Sequence, residues 1–314
     1  FNVDGERVER EGYHTDLLAE YALDFLSEED DRPWALCLWY KAPHAPFTPP
    51  ERYRDVYADA EPPRPATLGA SREGKALSVQ NGEGPGCTDD WYPDGVFQAK
   101  KTWDVFMRDY AQTVRGNDDA LGQVLEKLDE MGQAENTLVI HTADHGVFNG
   151  EFGLGNKRWM YDPSIRVPYL VRFPAWTAQS GRVADDLVLS LDLSATIMDA
   201  ADLGIPDHYQ LTGEGDWERD AVFIEYFYDA PFVAYPSMQC VRTATEKLIR
   251  YLKDGERDEF YDLAVDPDER QNRIDDPACA EQVALMRERL DMEKDRFNYV
   301  VPDLTVEYEA YQKF

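Results

Sequence analysis

The sequence predicts an α/β protein in which a mostly parallel sheet is flanked by helices and is followed by a smaller α+β subdomain with an antiparallel sheet. Helical and buried-strand patterns alternate over residues 15–200, which is typical of a parallel sheet with helices on its faces. After about residue 205 the pattern changes to short β-like runs spaced for antiparallel pairing. We therefore expect part of a core domain over residues 1–205 and a C-terminal subdomain over residues 206–314.

The first elements are predicted to be a helix and a buried strand. Apolar residues recur at helical spacing over residues 15–26, which gives that helix one buried face. The continuous apolar run from Trp34 to Tyr40 is typical of a strand buried on both faces, so Cys37 would be a core residue. The loop that follows, KAPHAPFTPP, contains His44 and four prolines among its ten residues.

The remaining elements follow the same two periodicities. An amphipathic pattern over residues 101–131 predicts one long helix. Residues 58–98 are rich in Pro, Gly and acidic side chains and predict a long irregular excursion. The aromatic side chains Trp91, Tyr92 and Trp103 either stack on a sugar ring at a site entrance or pin this excursion to the core. Further strands are expected at 137–141, 167–174, 221–228, 238–245 and 247–252. A short strand is expected to run into a helix over 187–201, and a terminal helix is expected at 278–297.

The composition excludes several classes of partner. The 314 residues have a formal net charge of −30, from 62 acidic and 32 basic residues. Such a charge repels nucleic acids and anionic membrane surfaces, so neither is an expected partner. No apolar stretch in the sequence is long enough to span a membrane. The charge also opposes an anionic substrate at long range, so an anion site needs local positive charge from a metal ion, His or Lys.

The four cysteines show no ligand pattern. Cys37, Cys87, Cys240 and Cys279 are widely spaced and form no CxxC motif. They leave the redox environment open, and the compartment of the protein, cytoplasmic or exported, stays open with it.

The most informative segment is residues 136–168, NTLVIHTADHGVFNGEFGLGNKRWMYDPSIRVP. A strand-like run passes into a glycine-rich loop in which Asp144 and His145 are adjacent and Lys157 follows Asp144 by thirteen positions. A carboxylate and an imidazole at a strand end suit a divalent cation, and a lysine in the same pocket suits an anionic group. Each also has an ordinary structural interpretation, as a turn cap, a hydrogen-bonded loop histidine and an exposed cation.

This segment resembles the metal-binding region of the sulfatase family, within the alkaline-phosphatase-like superfamily. The resemblance implies that Asp144 and His145 bind a divalent metal, with Ca²⁺ favoured and Mg²⁺ or Mn²⁺ as alternatives. It implies that Lys157 contacts the sulfate ester and steadies the charge on the leaving oxygen. The APHAPF loop resembles the Pro-His loop of the family, which implies that His44 is a catalytic proton donor or a sulfate ligand. A role for Arg158 stays open, since Asp162 or another carboxylate is an alternative, structural partner.

Further segments resemble the same family in the same order along the chain. They are RWMYDPSIRVP, SLDLSATIMDAADLGIP, EKLIRYL and EFYDLAVDPDERQN. The resemblance therefore runs from the middle of the family pattern to its end, and it implies an alkaline-phosphatase-like fold.

Two elements of the family pattern are not found in the sequence. One is the N-terminal Asp-Asp pair that completes the metal site, and the other is the C/S-x-P/A-x-R motif whose Cys or Ser becomes formylglycine, the nucleophile. The chain also begins like the interior of a longer polypeptide. We expect that a missing N-terminal segment or a second chain supplies the formylglycine, and that these 314 residues alone are inactive. A truncated chain, a two-chain enzyme and a non-catalytic relative all remain open.

The resemblance implies a sulfuric ester hydrolase that converts R–O–SO₃⁻ to an alcohol and sulfate, with a sulfated carbohydrate as one substrate class. A phosphonate monoester or phosphodiester hydrolase of the same superfamily is the alternative enzyme, because sulfate and phosphate esters ask for similar contacts. A binding module that keeps the fold without catalysis is the alternative outside enzymes.

Overall fold

A computed structural model describes residues 1–28, 30–81, 102–174, 176, 181–206, 219–227, 235–296 and 299–300. The chain divides into two compact units. The first comprises Phe1–Arg64, Cys87–Val139 and Arg172–Ala178, and the second comprises Pro65–Gly86, Ile140–Val171 and Gln179–Phe314. The predicted domain boundary after residue 205 stays a prediction.

Six α-helices and ten β-strands are found in the described residues, with short 3₁₀ helices at 51–53, 134–136 and 277–279. The helices are α1 His14–Leu26, α2 Leu77–Gln80, α3 Trp103–Glu130, α4 Asp162–Ile165, α5 Asp192–Ala200 and α6 Ala280–Arg296. The strands are β1 Asn2–Val3, β2 Glu6–Arg7, β3 Val139–Thr142, β4 Phe148–Asn149, β5 Gly155–Asn156, β6 Tyr169–Arg172, β7 Ala221–Tyr226, β8 Met238–Thr243, β9 Glu246–Tyr251 and β10 Glu259–Asp262.

The first unit is built on α1 and α3, and both predicted helices are confirmed. Their apolar stripes form one core that contains Ala22, Leu26, Val124 and Leu128. α3 runs unbroken for 28 residues, and its first turn is capped by the side chain of Thr102.

The strand predicted at residues 34–40 is wrong. These residues form no strand, and their exposure alternates along an extended segment. Trp34 and Leu38 pack against the α1–α3 core, whereas Cys37 and Trp39 are exposed, so Cys37 is not a core residue. An apolar run has the same composition whether one face or both are buried, and the sequence therefore does not distinguish the two.

The excursion before α3 is partly described. Trp103 is buried at the start of α3, and the Arg64 guanidinium lies 5.0 Å from the centre of its ring. This contact supports the role of Trp103 in pinning the chain to the core. Trp91, Tyr92 and Cys87 lie outside the described residues.

The second unit contains the antiparallel sheet predicted for the C-terminal region, which is confirmed. Its order is β10-β9-β8-β7, and all neighbours are antiparallel. α6 covers this sheet through a shared apolar core that includes Val241, Leu248, Val283 and Leu290. β10 was not predicted, because its four residues lie in a segment dominated by turn residues.

The mostly parallel sheet predicted for residues 15–200 is not seen in the described part of the chain. There, β3 and β6 form a sheet of two strands, and β4 and β5 form a separate antiparallel pair. The short strand predicted at the start of 187–201 is also not formed, whereas α5 is. Among the described helices, none combines the length and the apolar composition of a membrane span.

Candidate active site

The candidate site begins where β3 ends. Asp144 follows Thr142, the last residue of β3, by two positions, and its side chain is 83% exposed. Its Oδ1 atom accepts a hydrogen bond from the backbone amide of His145 at 3.0 Å, and its Oδ2 atom lies 3.2 Å from His145 Nε2. The carboxylate is therefore open to solvent while both of its oxygens contact the adjacent histidine.

The contacts of His145 indicate which ring nitrogen carries a proton. Nδ1 lies 2.9 Å from the carbonyl oxygen of Gly146, and Nε2 lies 2.6 Å from Lys157 Nζ. A neutral ring protonated on Nδ1 satisfies these two contacts, because Nδ1 then donates to Gly146 and Nε2 accepts from the Lys157 ammonium. It leaves Nε2 and Asp144 Oδ2, 3.2 Å apart, as two acceptors that only a cation can bridge. In this tautomer the lone pair of Nε2 is the one that a metal ion would use.

A short hairpin returns Lys157 to His145. β4 pairs with β5 in antiparallel register, with Phe148 opposite Asn156. Lys157 follows β5 directly. The hairpin therefore brings Lys157 to His145 although thirteen positions separate Lys157 from Asp144 in the sequence. The structure thus brings together three of the four predicted site residues, and the roles assigned to them stay predictions.

The residues on both sides of Lys157 have positive φ angles. Asn156 has a φ of +68° and Arg158 a φ of +91°, both in the left-handed region that favours glycine. Asn adopts this region at little cost, whereas the conformation of Arg158 costs about 1–3 kcal/mol and persists only where its surroundings hold it. The hydroxyl of Ser164, 3.0 Å from the Arg158 amide, is such a support.

Gly146 packs against α4 so closely that no side chain fits there. A Cβ atom at Gly146 would lie 2.2 Å from the carbonyl oxygen of Pro163 and 2.7 Å from that of Arg166. The Gly146 amide donates to the carbonyl oxygen of Ser164 at 2.8 Å. α4 therefore supports the turn that carries His145.

A buried charge cluster anchors α4 to the four-stranded sheet. Asp162 accepts hydrogen bonds from Arg242 Nη2 at 2.9 Å and from Lys247 Nζ at 2.5 Å, and Lys247 also donates to Glu269 at 2.6 Å. Burial alone would raise the pKa of Asp162, but Lys247 and Arg242 outweigh it and lower that pKa from 3.8 to about 2. Burial raises the pKa of Glu269. Asp162 is therefore an ionised anchor at the first residue of α4.

A second buried cluster lies behind the glycine-rich loop. Lys75 Nζ donates to the Tyr261 hydroxyl at 2.9 Å and lies 4.0 Å and 4.3 Å from the ring centres of Phe152 and Tyr161. Glu259 accepts from the hydroxyls of Tyr161 and Tyr261 at 2.7 Å and 2.5 Å. Burial lowers the pKa of Lys75 and raises the pKa of Tyr161. The cluster ties the loop to β10.

His44 lies in the first compact unit. It is exposed, its amide donates to the carbonyl oxygen of Lys41, and its Nδ1 lies 2.9 Å from the carbonyl oxygen of Ala45. Asn117 of α3 holds this loop by donating to the carbonyl oxygen of Ala42 at 2.6 Å. The other three candidate residues belong to the second unit, and the catalytic role of His44 stays a prediction.

The residues that support the site have no local signal in the sequence. Asp162, one partner considered for Arg158, instead binds Arg242 and Lys247, which lie 80 and 85 positions later in the chain. Ser164 was also not singled out. The only signal for these residues was that RWMYDPSIRVP and EKLIRYL both resembled segments of one family.

Two donor atoms of the described residues lie close enough together to contact one metal ion. The 3.2 Å between Asp144 Oδ2 and His145 Nε2 lets one cation contact both atoms. Within the part of the chain that the structure describes, no group of three or more His, Cys, Asp or Glu side chains is placed to hold a metal ion. Because Ca²⁺ takes about 6–8 oxygen ligands, the imidazole of His145 fits a divalent transition metal better than Ca²⁺. Asp144 and His145 would supply two of the ligands of such a metal.

Comparison with known proteins decides the family. A family model for sulfatases matches residues 2–203, which is more than half of the chain. The chain belongs to the sulfatase family. A second model, for the C-terminal region of N-sulphoglucosamine sulphohydrolase, matches residues 150–296. This second match covers α4, the four-stranded sheet and α6 of this sulfatase-family chain.

Relatives and solved structures agree with this assignment. The N-acetylglucosamine-6-O-sulfatase of Bacteroides thetaiotaomicron is 25% identical over 365 residues, covering 96% of this chain and 65% of the relative. A solved structure in complex with its substrate D-glucosamine-2-N,6-O-disulfate matches with a TM-score of 0.84 at 24% identity, covering 94% of this chain and 72% of that chain. A phosphonate monoester hydrolase of Agrobacterium radiobacter matches with a TM-score of 0.76 at 24% identity, covering 90% of this chain and 60% of that one.

These likenesses establish the fold as that of sulfatases, the alkaline-phosphatase-like fold. The chain spans 65% of the length of the Bacteroides relative.

Proposed function

We propose that this chain is the part of a metal-dependent sulfuric ester hydrolase that holds the ester group and assists its departure. The observation that carries the proposal is the convergence of Asp144, His145 and Lys157, with Lys157 Nζ 2.6 Å from His145 Nε2. The nucleophile, a formylglycine, belongs in the proposal to a segment outside these 314 residues.

Each candidate site residue has a distinct role in this proposal. Asp144 and His145 would hold the divalent metal, Ca²⁺ by the family resemblance or a transition metal such as Mn²⁺ by the chemistry of the imidazole donor. That metal would supply positive charge for the ester group. Lys157 places its ammonium against the ester group, where it stabilises the charge that develops on the leaving oxygen. His44 donates a proton to that oxygen as the bond to sulfur breaks.

The negative charge of the chain makes the Lys157 ammonium important for binding an anionic ester. A chain with a net charge of −30 disfavours an anionic ester at long range, so binding depends on local cations. Lys157 and Arg158 are adjacent, so two cationic side chains begin at one point of the loop. The Lys157 ammonium lies on His145 Nε2 and would turn toward the ester group when a metal takes that nitrogen.

The proposed substrate class is a sulfate ester on a carbohydrate, with the 6-O-sulfate of a glucosamine unit as the first candidate. Support comes from the name of the Bacteroides relative and from the disulfated glucosamine bound in the structural neighbour. A sulfate monoester carries one negative charge, which the Lys157 ammonium neutralises.

The test compares three substrates on the complete native protein that contains this chain: N-acetylglucosamine-6-sulfate, an aryl sulfate and an aryl phosphonate monoester. We expect turnover of the sulfate esters, and Lys157→Ala and Asp144→Ala should each lower kcat/KM at least about 100-fold. Lys253→Ala removes the same charge from an exposed turn and should leave kcat/KM unchanged.

Two results would favour a different function. Faster turnover of the phosphonate than of either sulfate ester would favour the phosphonate hydrolase, and no turnover together with no bound metal would favour a binding module. The 314-residue chain alone should be inactive on all three substrates.

A further inference from the structure

The two halves of the candidate site meet at one buried serine. Ser164 is 5% exposed and lies within α4. Its carbonyl oxygen accepts from the amide of Gly146 at 2.8 Å, and its Oγ atom accepts from the amide of Arg158 at 3.0 Å. One residue therefore contacts both the turn next to His145 and the strand end next to Lys157.

These two hydrogen bonds act at positions where the backbone has little freedom. Gly146 lies too close to the carbonyl oxygens of Pro163 and Arg166 to accept a side chain. Arg158 has a φ of +91°, which a non-glycine residue keeps only when neighbouring groups hold it. The Ser164 hydroxyl is a hydrogen-bond partner of the amide of this strained residue, so it is placed to stabilise that conformation.

Ser164 is itself held from the four-stranded sheet. Asp162, two positions earlier, is bound by Arg242 of β8 and by Lys247 of β9, and its amide donates to Glu269 at 2.7 Å. A rigid support is what a positioning residue needs, because displacements of about 1 Å in a reacting group are costly.

We infer that Ser164 is a positioning residue that couples the metal-ligand turn at Asp144–His145 to Lys157 through its carbonyl oxygen and its hydroxyl. The inference rests on the function proposed above. The two links are separable, because the link to Gly146 uses the backbone and the link to Arg158 uses the side chain. Ser164→Ala cuts the second link alone, and Ser164→Thr keeps an acceptor oxygen.

The first measurement is residue-resolved amide hydrogen exchange on the 314-residue chain. In Ser164→Ala the amide of Arg158 should exchange about tenfold faster, since a partly buried amide loses its acceptor. The amide of Gly146 should change less than about threefold, because its acceptor is a carbonyl oxygen that the substitution keeps. Ser164→Thr should retain slow exchange at Arg158, and Ser194→Ala, which removes a hydroxyl from exposed α5, is the matched control.

The second measurement is steady-state kinetics on the complete native protein with an aryl sulfate. Ser164→Ala should lower kcat about tenfold with KM changed less than about twofold, because Lys157 acts on the leaving oxygen in the transition state. Calcium affinity should stay within about twofold of the wild type, since the metal-ligand turn keeps its own link.

Unchanged exchange at Arg158 would overturn the inference, and so would faster exchange without a change in kcat. A fall in calcium affinity equal to the fall in kcat would also overturn it, because the substitution would then be acting on the whole site. If the wild-type protein turns over no ester, the proposed function fails. The exchange rates alone then decide whether Ser164 couples the Asp144–His145 turn to Lys157.

Discussion

Lys157 Nζ and His145 Nε2 lie 2.6 Å apart, which places a cationic side chain on the nitrogen that a metal ion would use. An ammonium and a metal ion do not share one lone pair. In this structure the Lys157 ammonium occupies the lone pair of His145 Nε2. A metal bound to Nε2 would displace the ammonium, which would then be free to contact an ester group.

Removal of this cation should tighten metal binding while it weakens catalysis. In Lys157→Met, the apparent affinity for Ca²⁺ or Mn²⁺ should rise about thirtyfold, since an ammonium and a dication about 4 Å apart repel by roughly 2 kcal/mol in a water-like medium. The measurement is calorimetric titration of each metal at low ionic strength. Lys253→Met, at an exposed turn, is the matched control and should leave the affinity unchanged. Equal or weaker metal binding by Lys157→Met would show that the two cations do not compete.

The second prediction concerns the close packing of Gly146. Gly146→Ala places a methyl group 2.2 Å from the backbone oxygen of Pro163 in α4 and 2.7 Å from that of Arg166, the residue after α4. Backbone atoms cannot turn aside as a flexible side chain would. We expect a loss of about 1–3 kcal/mol in the free energy of unfolding, together with weaker metal binding, because the turn next to His145 must shift. Urea unfolding monitored by circular dichroism measures the first effect, and calorimetric titration measures the second.

The matched control for Gly146→Ala is Gly122→Ala. A Cβ atom at Gly122 of α3 meets no atom within 4 Å, so alanine there should stabilise the helix by about 0.5–1 kcal/mol. Opposite signs for the same chemical change would separate the close approach of α4 from a general effect of alanine. A neutral or stabilising Gly146→Ala would contradict the packing described for α4.

Local periodicity predicted the elements that stabilise themselves locally. α1, α3 and α6 lie within a few residues of their predicted ranges, because an amphipathic stripe is sufficient to define a helix with one buried face. β7, β8 and β9 were also predicted from a local pattern, because short apolar runs separated by turns favour antiparallel pairing. β10 was missed because its pairing with β9 outweighs the turn residues around it.

Contacts between residues far apart in the sequence could not be predicted from local patterns. Asp144, His145 and Lys157 were found because they lie within one segment and one hairpin joins them. The partners of Asp162 come from two strands about eighty residues away, and no local spacing indicates them. The apolar run at 34–40 carried no information about a neighbouring strand, so its composition alone led to the wrong prediction of a strand buried on both faces.

The role of His44 leads to a prediction that depends on the leaving group. In the complete native protein, His44→Ala should lower kcat about 100-fold for an alkyl or sugar sulfate, whose alkoxide must be protonated as it leaves. The loss should be much smaller for 4-nitrophenyl sulfate, because that leaving group departs readily without a proton. His14→Ala removes a histidine that stacks on Phe1 and is the control. An equal loss for both substrates would indicate that His44 binds the sulfate group instead of donating a proton.

The anchor at Asp162 makes the protein sensitive to acid. Its pKa is lowered from 3.8 to about 2 in the folded state, because Lys247 and Arg242 stabilise the carboxylate against the effect of burial. A lowered pKa means that the folded state binds this proton more weakly than the unfolded state. The stability that Asp162 contributes is therefore complete above about pH 5, and it is lost as the pH falls toward 2.

Asp162→Asn tests this sign directly. At pH 7 the substitution should cost about 3 kcal/mol, because it leaves the buried ammonium of Lys247 with one carboxylate fewer. Between pH 6 and pH 3 the difference in unfolding free energy between wild type and variant should shrink by about 1 kcal/mol, since the wild type alone loses the contribution of the Asp162 charge. Urea unfolding at a series of pH values measures the difference, with Asp254→Asn at an exposed turn as the control. A difference that stays constant or grows toward pH 3 would mean that the ionised form of Asp162 does not anchor α4.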